Sequence, residues 1–259
     1  MAKLTKRQNK KHLEALALLE KSELLTTDEK EFVFKNYHQA ADGDVTYSGA
    51  FFTPLDLAFD FALETSGPKI IDLCAGIGAL SYAAYNRGRY HDERPQITSV
   101  EINPRYVEIG KKLLPEATWI CADITSVWCE LGCFDYAISN PPFGRIKKNN
   151  EKAPLYKGRE FEYIIADIAS HMARHGAFIF PQTSAPFRLS GVQCYERNEN
   201  AKYKTFAEQT GLFMEAGCGV DTSFYINEWN QRPPVTEIVC CDFEERTPPA
   251  QGDLFAEAA

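Results

Sequence analysis

Residues 69–78 read Lys-Ile-Ile-Asp-Leu-Cys-Ala-Gly-Ile-Gly, and this stretch decides the fold class. Its apolar run predicts a buried strand, and residues 79–87 predict the helix that follows. The two glycines between them allow a tight turn and a close approach of a ligand to the backbone, beside the free N–H groups of the helix start. A strand, a Gly-rich turn and a helix in this order are typical of α/β nucleotide-binding folds. No Gly-Lys-Ser/Thr follows, so the stretch is not a phosphate P-loop.

Three later strands are also predicted to end in polar groups. The strand at 97–102 carries Glu101 near its end, roughly 20 residues past the glycines, where βαβ units place the acid that meets ribose hydroxyls. Asp123 follows the strand at 117–122, and Asn140-Pro141-Pro142-Phe143 follows the strand at 134–139. Because the carboxyl ends of parallel strands meet at one edge of a sheet, we expect these groups to lie together.

The turn at 140–143 has a specific chemistry. Its two prolines fix φ and lack N–H donors, so they make a rigid turn with free carbonyl groups. Asn140 adds a side-chain acceptor, and Phe143 adds a ring for stacking. Two acceptors beside an aromatic ring suit a planar group that bears an NH2, such as the exocyclic amine of a base.

Together these stretches resemble the S-adenosylmethionine-dependent amino-methyltransferases, specifically the N6-adenine type. The Asp/Asn-Pro-Pro-Tyr/Phe motif of that family appears as residues 140–143, and its Gly-rich cofactor loop appears as residues 72–78. A Phe-x-Thr-Pro motif appears upstream, as residues 51–54. This motif order is similar to that of the gamma group of DNA methyltransferases, and the resemblance extends over residues 45–245.

The resemblance implies a class I methyltransferase (Rossmann-like) α/β fold with a seven-stranded, mostly parallel sheet, an antiparallel last strand and S-adenosylmethionine as cofactor. It implies that Thr53 and Asp72 hold the methionine end, Glu101 the ribose, and Asp123 with Ile124 the adenine. The implied cofactor residues are Phe52, Thr53, Asp72, Ala75, Gly76, Gly78, Glu101, Ile102, Asp123, Ile124 and Asn140. The implied catalytic residues are Asn140, Pro141, Pro142 and Phe143, and no metal is implied.

The sequence predicts an N-terminal helical extension at 1–45, a catalytic domain at 46–243 and a flexible polar tail at 244–259. Leucines at helical spacing, from Leu13 to Leu19, and a start signal at Thr26 predict two helices in the extension. Helices are predicted at 54–65, 79–87, 104–114, 160–174 and 202–210. Strands are predicted at 69–74, 97–102, 117–122, 134–139, 176–181, 212–220 and 236–243.

Composition agrees with a single α/β core in the 259 residues. The absence of an apolar run of about 18 residues and of a signal peptide predicts a cytoplasmic protein. The expectation that it is bacterial, or encoded by a phage or plasmid, comes from the clamp-like tail described below. The eight cysteines include no Cys-x-x-Cys pair, so no metal site is predicted.

A net charge of −8 is unfavourable for general nucleic-acid binding, but basic residues cluster just after the catalytic turn. Because only residues 244–259 follow the last predicted strand, we expect the loops at 144–160 and 183–202, with the N-terminal helices, to recognise a short or relaxed target sequence. The candidate nucleic-acid contacts are Arg145, Lys147, Lys148, Lys157, Arg159 and Arg188.

The tail contains Gln-Gly-Asp-Leu-Phe at 251–255, which resembles the pentapeptide that binds the bacterial DNA polymerase sliding clamp. A Gln head and two apolar anchors can dock as an extended peptide in a groove. The predicted clamp contacts are Gln251, Asp253, Leu254 and Phe255.

Four functions therefore stay open. An N6-adenine methyltransferase acting on DNA is favoured, and the clamp-like tail supports it. The same turn would serve an enzyme acting on RNA, because the turn does not distinguish the sugars. A protein glutamine methyltransferase has a similar Asn-Pro-Pro-Tyr turn, but Phe143 and the basic residues argue against it. A non-catalytic clamp- or DNA-binding protein would not need the cofactor and catalytic motifs.

Overall fold

The structure, a computed structural model, describes residues 4–38, 51–87, 94–146, 153–231 and 233–245. Its centre is a six-stranded sheet with the order β3-β2-β1-β4-β5-β8, in which only β8 runs antiparallel to its neighbour. The strands are β1 (Lys69–Asp72), β2 (Gln96–Glu101), β3 (Thr118–Cys121), β4 (Phe134–Ser139), β5 (Ala173–Pro181) and β8 (Thr236–Asp242). The strand order reverses between β1 and β4, and ligands of open α/β sheets bind at such a reversal.

Helices cover both faces of the sheet. They are α3 (Leu55–Phe61), α4 (Ala79–Arg87), α5 (Pro104–Leu113), α6 (Ile124–Val127), α7 (Phe161–Ala169) and α8 (Ala201–Thr210). Alternating residues of β1 enter two separate cores: Ile70 packs in the core that includes α3 and α4, and Ile71 packs in the core that includes α7 and α8. No helix in the described ranges is long and apolar enough to cross a membrane.

Two N-terminal helices, α1 (Lys6–Leu19) and α2 (Thr27–Asn36), start at the capping boxes of Thr5 and Thr26. Their apolar side chains join the core on the α3–α4 side, where the rings of Phe34 and Tyr82 lie 5.0 Å apart. The Asn230 side-chain amide also donates a 2.7 Å hydrogen bond to the Tyr37 carbonyl group. The helices therefore pack on the sheet layer rather than projecting from it.

The expected seventh strand is not formed in the described residues, so the expectation of seven strands was wrong. Residues 212–220 contribute only a bridge between Glu215 and Cys240. Gly217 and Gly219 have φ values of +55° and +79°, and a chain with these left-handed turns cannot continue as a strand. The Cys218 N–H group instead donates a 2.7 Å hydrogen bond to Glu64.

A helix end and a hairpin also differ from the prediction. The helix predicted at 160–174 ends at Ala169, because the next strand, β5, already begins at Ala173. An unpredicted hairpin, β6 (Phe187–Arg188) and β7 (Glu196–Arg197), lies between β5 and α8.

Candidate active site at the carboxyl edge of the sheet

A cavity lies where the strand order reverses, and it joins segments that are far apart in the sequence. Its empty volume is about 300 Å³, which includes space open to solvent. The lining residues are Phe51, Phe52, Thr53, Asp72, Cys74, Ala75, Gly76, Ile77, Ala79, Leu80 and Asn140. The structure thus brings the Thr-Pro motif, the glycine loop and the start of the Asn-Pro-Pro-Phe turn to one place.

The glycine loop depends on two glycines with positive φ, +57° at Gly76 and +91° at Gly78. A Cβ atom at Gly78 would lie 2.8 Å from the Trp119 ring, and one at Gly76 would lie 3.2 Å from the Phe52 ring. The Phe52 ring is held in turn by an edge contact with Tyr106, at 5.0 Å between centroids. A side chain at either glycine would therefore be strained and would meet an aromatic ring.

Glu101, at the end of β2, holds the glycine loop through its carboxylate. The Gly76 N–H group donates to one carboxylate oxygen and the Asn103 N–H group to the other, both at 2.8 Å. Burial raises the pKa of Glu101. Since a carboxylate has about four acceptor positions, this carboxylate can still accept hydrogen bonds from ligand hydroxyl groups.

Asp72, at the end of β1, is 1% exposed and lines the cavity. Ser81 donates a 2.9 Å hydrogen bond to Oδ2, and the Ser81 hydroxyl also lies 2.8 Å from that of Ser99. The other oxygen, Oδ1, is buried without a hydrogen-bond partner. Burial is the main effect on this carboxyl group and raises its pKa to about 7. A buried acceptor without a partner is costly, and a ligand that donates a proton or carries a positive charge would satisfy it.

Asn140 is oriented by two acceptors from the Thr-Pro motif. Its Nδ2 atom donates to the Phe51 carbonyl group at 2.8 Å and to the Thr53 hydroxyl group at 2.9 Å. A backbone carbonyl can only accept, so the amide nitrogen must face Phe51. Oδ1 then points away from both, and it is buried without a partner. The Thr-Pro motif therefore fixes this oxygen as an unused acceptor.

An aromatic wall, formed by Phe51, Phe143 and Trp229, stands beside Asn140. The rings of Phe51 and Phe143 are 5.8 Å apart and tilted by 32°, and Trp229 meets Phe51 edge to face at 6.4 Å. Phe143 is half-buried, and Pro142 beside it is too, whereas Pro141 is buried. Sequence reasoning missed Trp229, because no local motif marks a residue that reaches the site from the far end of the chain.

The remaining predicted cofactor residues lie at neighbouring strand ends, outside the cavity lining. Asp123 caps α6, and its carboxylate accepts hydrogen bonds from the Thr125 N–H group at 3.0 Å and the Thr125 hydroxyl group at 2.7 Å. Ile124 is buried and Ile102 is exposed. Ile102 follows β2, which is next to β1 in the sheet, and Asp123 and Ile124 follow β3, which is one strand further away.

The basic segment after the turn starts and ends at one point. The Phe161 N–H group donates a 2.9 Å hydrogen bond to the Gly144 carbonyl group, which joins the start of this segment to the start of α7. The described part of the segment also packs on the fold, because Ala153 and Tyr156 are buried in the core that includes α7 and α8. Arg145, Lys157 and Arg159 are exposed on it. The exposed Lys202, from α8, joins this surface.

A buried acid, Glu160, lies beneath these cations. Arg145 and Lys202 approach the same oxygen of Glu160 at 3.8 Å and 3.2 Å. Burial acts to raise the pKa of Glu160, but hydrogen bonds from Tyr156 and Lys202 outweigh it and lower the pKa to about 2. The positive charge of Arg145 and Lys202 is thus partly neutralised by this acid.

The remaining predicted binding residues either lie away from the cavity or fall outside the described residues. Arg188 donates a 3.3 Å hydrogen bond to the Gln182 side chain and lies 3.6 Å from Glu196, so its guanidinium group is already engaged. Lys147, Lys148 and the clamp residues Gln251, Asp253, Leu254 and Phe255 lie outside the described residues. In the described part of the chain, no cluster of His, Cys, Asp and Glu could hold a metal ion.

Comparison with known proteins yields similarity in structure alone. No protein-family model matches the chain, and no curated protein matches it. A modification subunit from Vibrio vulnificus, described with reservation as part of a type I restriction enzyme, superposes with a TM-score of 0.55 and 11% identity over 85% of this chain and 51% of that one. The methyltransferase subunit of a type I restriction-modification system from Streptococcus thermophilus gives 0.53 and 14%, over 85% of this chain and 50% of that one.

A protein from Listeria monocytogenes, provisionally described as a class I S-adenosylmethionine-dependent methyltransferase, gives a TM-score of 0.53 and 12% identity, over 90% of this chain and 88% of that one. The fold is that of the class I methyltransferases. This chain spans about half the length of the two restriction-modification subunits. At such identities the similarity concerns the fold, so the activity must be argued from the site.

Proposed function

We propose that this protein transfers a methyl group from S-adenosylmethionine to the N6 amine of adenine in DNA. The observation that carries the proposal is the oriented amide of Asn140, whose Oδ1 atom is buried and unpaired, in a turn that also carries the half-buried ring of Phe143. An acceptor fixed in this way suits an amine that donates a hydrogen bond, and the ring suits a base that stacks.

The chemistry of the cavity fits S-adenosylmethionine. Asp72 Oδ1 offers a buried, unpaired acceptor to the ammonium group of the methionine end, and Thr53 lies across the same cavity. Glu101 would accept hydrogen bonds from the ribose hydroxyls, and Asp123 with Ile124 would border the adenine. When bound, this cofactor supplies a methyl group that its positively charged sulfonium already activates.

The residues of the turn would prepare the amine. The N6 atom of adenine shares its lone pair with the ring, which makes it a weak nucleophile. Hydrogen bonds from the amine to Asn140 Oδ1 and to the Pro141 carbonyl group would draw the nitrogen toward tetrahedral geometry and free that pair. Phe143 would stack on the base, and the gain in rate would come from position and from fixed dipoles. In a duplex the base must first be flipped out of the stack.

The exposed cations on residues 145–160 lie next to the turn, where the phosphates of a strand would pass. DNA rather than RNA is favoured by the clamp-like sequence at 251–255, which would tether the enzyme to the sliding clamp and raise the local DNA concentration.

The test is methyl transfer from tritiated S-adenosylmethionine to unmethylated duplex DNA, its separate strands and ribosomal RNA, followed by nucleoside analysis. We expect label in N6-methyldeoxyadenosine, and none with Asn140→Ala, although that variant should bind the cofactor with nearly unchanged affinity. Label in RNA alone would reassign the substrate. Label in neither nucleic acid, with intact cofactor binding, would overturn the proposal.

A further inference from the structure

The residue after the catalytic turn, Gly144, is held on both sides by the start of α7. The Phe161 N–H group donates to its carbonyl group at 2.9 Å, and its own N–H group donates to the Glu162 carboxylate at 2.8 Å. Gly144 has a φ of +77°, which is unfavourable for residues other than glycine. Because Pro141 and Pro142 have no N–H groups, the turn offers few points at which the fold can fix it.

Glu162 connects this point to a second segment. Its side chain belongs to a residue that is 1% exposed, and its other oxygen accepts a 2.7 Å hydrogen bond from the Ser184 hydroxyl group. Ser184 lies just after β5, and its N–H group donates to the Pro181 carbonyl group at 2.7 Å. One buried carboxylate therefore joins the end of the catalytic turn to the loop that follows β5.

That loop is itself firmly held. Glu237, on β8, is fully buried and accepts hydrogen bonds from the Ser190 N–H and hydroxyl groups and from the Gln182 side chain. Hydrogen bonds therefore connect β8, through this loop and Glu162, to Gly144. The turn is thus held at both ends, by Phe51 and Thr53 at Asn140 and by Glu162 at Gly144.

We propose that Glu162 is a positioning residue for methyl transfer, which rests on the proposed function of the Asn140 turn. It does not line the cavity, and it acts by fixing the position of Gly144 and, through the chain, of Phe143 and Pro141. The role depends on the length of the side chain and on its acceptor oxygens, not on its charge.

Two substitutions separate these properties. Glu162→Gln keeps the length, because the amide oxygen can accept from Gly144 and the amide nitrogen can donate to the Ser184 hydroxyl group. Glu162→Asp keeps the charge but withdraws the carboxylate by one methylene. Asp135→Asn is the matched control, since this half-buried acid accepts a 2.9 Å hydrogen bond from the Lys69 N–H group at the opposite end of β4.

The measurements are kcat on an adenine-containing oligonucleotide, the cofactor Kd and the melting temperature of each folded variant. A misplacement near 1 Å can lower a rate about 100-fold, so we expect Glu162→Asp to lower kcat by about 10- to 100-fold and Glu162→Gln by less than about fivefold. Cofactor Kd should stay within about twofold in both, and Asp135→Asn should keep kcat even if its melting temperature falls.

Equal kcat in Glu162→Asp and the unsubstituted protein would overturn the inference, and so would a loss in Glu162→Gln that matches or exceeds the loss in Glu162→Asp. If kcat falls in parallel with the melting temperature in all three variants, the role of Glu162 is purely structural, and the inference is also overturned. If the unsubstituted protein methylates no nucleic acid, the proposed function has failed instead, and that result is seen before any variant is compared.

Discussion

The orientation of the Asn140 amide leads to a prediction for Asn140→Asp, a substitution that changes almost no volume. In the present structure Nδ2 donates to the Phe51 carbonyl group at 2.8 Å and to the Thr53 hydroxyl group at 2.9 Å. An ionised carboxylate would place an oxygen at that distance from a carbonyl oxygen, and neither atom could donate. The Thr53 hydroxyl group could reverse and donate, but the backbone carbonyl could not.

The cost follows from these contacts. Leaving a buried polar group unsatisfied costs about 1–3 kcal/mol, and more if it is charged. If the introduced carboxylate moves away to avoid this cost, the active arrangement must be restored during the reaction, which corresponds to a kcat lower by about 5- to 150-fold. Protonation gives the introduced group an O–H that can donate to Phe51, and burial favours that neutral form.

The assay is kcat for oligonucleotide methylation, measured in parallel for both proteins from about pH 8 down to about pH 5, a range that a buried carboxyl group can titrate in. We expect the ratio of the variant's kcat to that of the unsubstituted protein to rise as pH falls. A variant with full activity near neutral pH would refute the reasoning, because the amide nitrogen would then have no role in orienting Oδ1. A ratio that does not change with pH would refute the part played by the Phe51 carbonyl group.

Three further outcomes are expected. Because the pKa of Asp72 is raised to about 7, its carboxylate is protonated below that pH and cannot pair with the cofactor's ammonium group. The cofactor Kd measured by calorimetry should therefore rise by up to about tenfold per pH unit as the pH falls below 7, and Asp72→Asn should remove this slope. Gly110→Ala should destabilise the protein by about 1–3 kcal/mol in urea, since the added Cβ would lie 2.1 Å from the Trp119 ring; stabilisation, as expected from helix propensity alone, would contradict the packing. Deleting residues 251–255 should abolish binding to a sliding clamp in surface plasmon resonance and leave methylation of short oligonucleotides unchanged; clamp binding by the truncated protein would show that the tail match is accidental.

Local patterns predicted most of the sheet, because strand and helix periodicity is written into short stretches. The parallel strands β1 to β4 and their polar ends follow from such stretches, and so does the glycine loop. The stretch at 212–220 was wrongly predicted as a strand, because its apolar residues favour a strand whereas Gly217 and Gly219 turn the chain. The turns at these glycines, and the hydrogen bond from Cys218 to Glu64, are set by tertiary contacts.

Long-range pairing accounts for what the sequence could not predict in the site. Glu101 was expected to face a ribose. The hydrogen bond that it accepts from the Gly76 N–H group was not predicted, because it joins two segments that meet only in the fold. Glu162 and Glu237 read as ordinary polar residues in the sequence, yet both are buried and accept hydrogen bonds from neighbouring donors. A buried acid is recognised only once its partners are known, and those partners lie 18 to 55 positions away.

The contacts of Trp229 and Asn230 bear on when the candidate active site can form during synthesis of this protein. Trp229 completes the aromatic wall against Phe51, and Asn230 donates to the Tyr37 carbonyl group that precedes the Thr-Pro motif. A ribosome must therefore translate most of the chain before the first segment of the site is supported. We expect nascent chains that stop short of residue 229 to bind the cofactor poorly, so that premature termination yields inert fragments instead of unregulated enzymes.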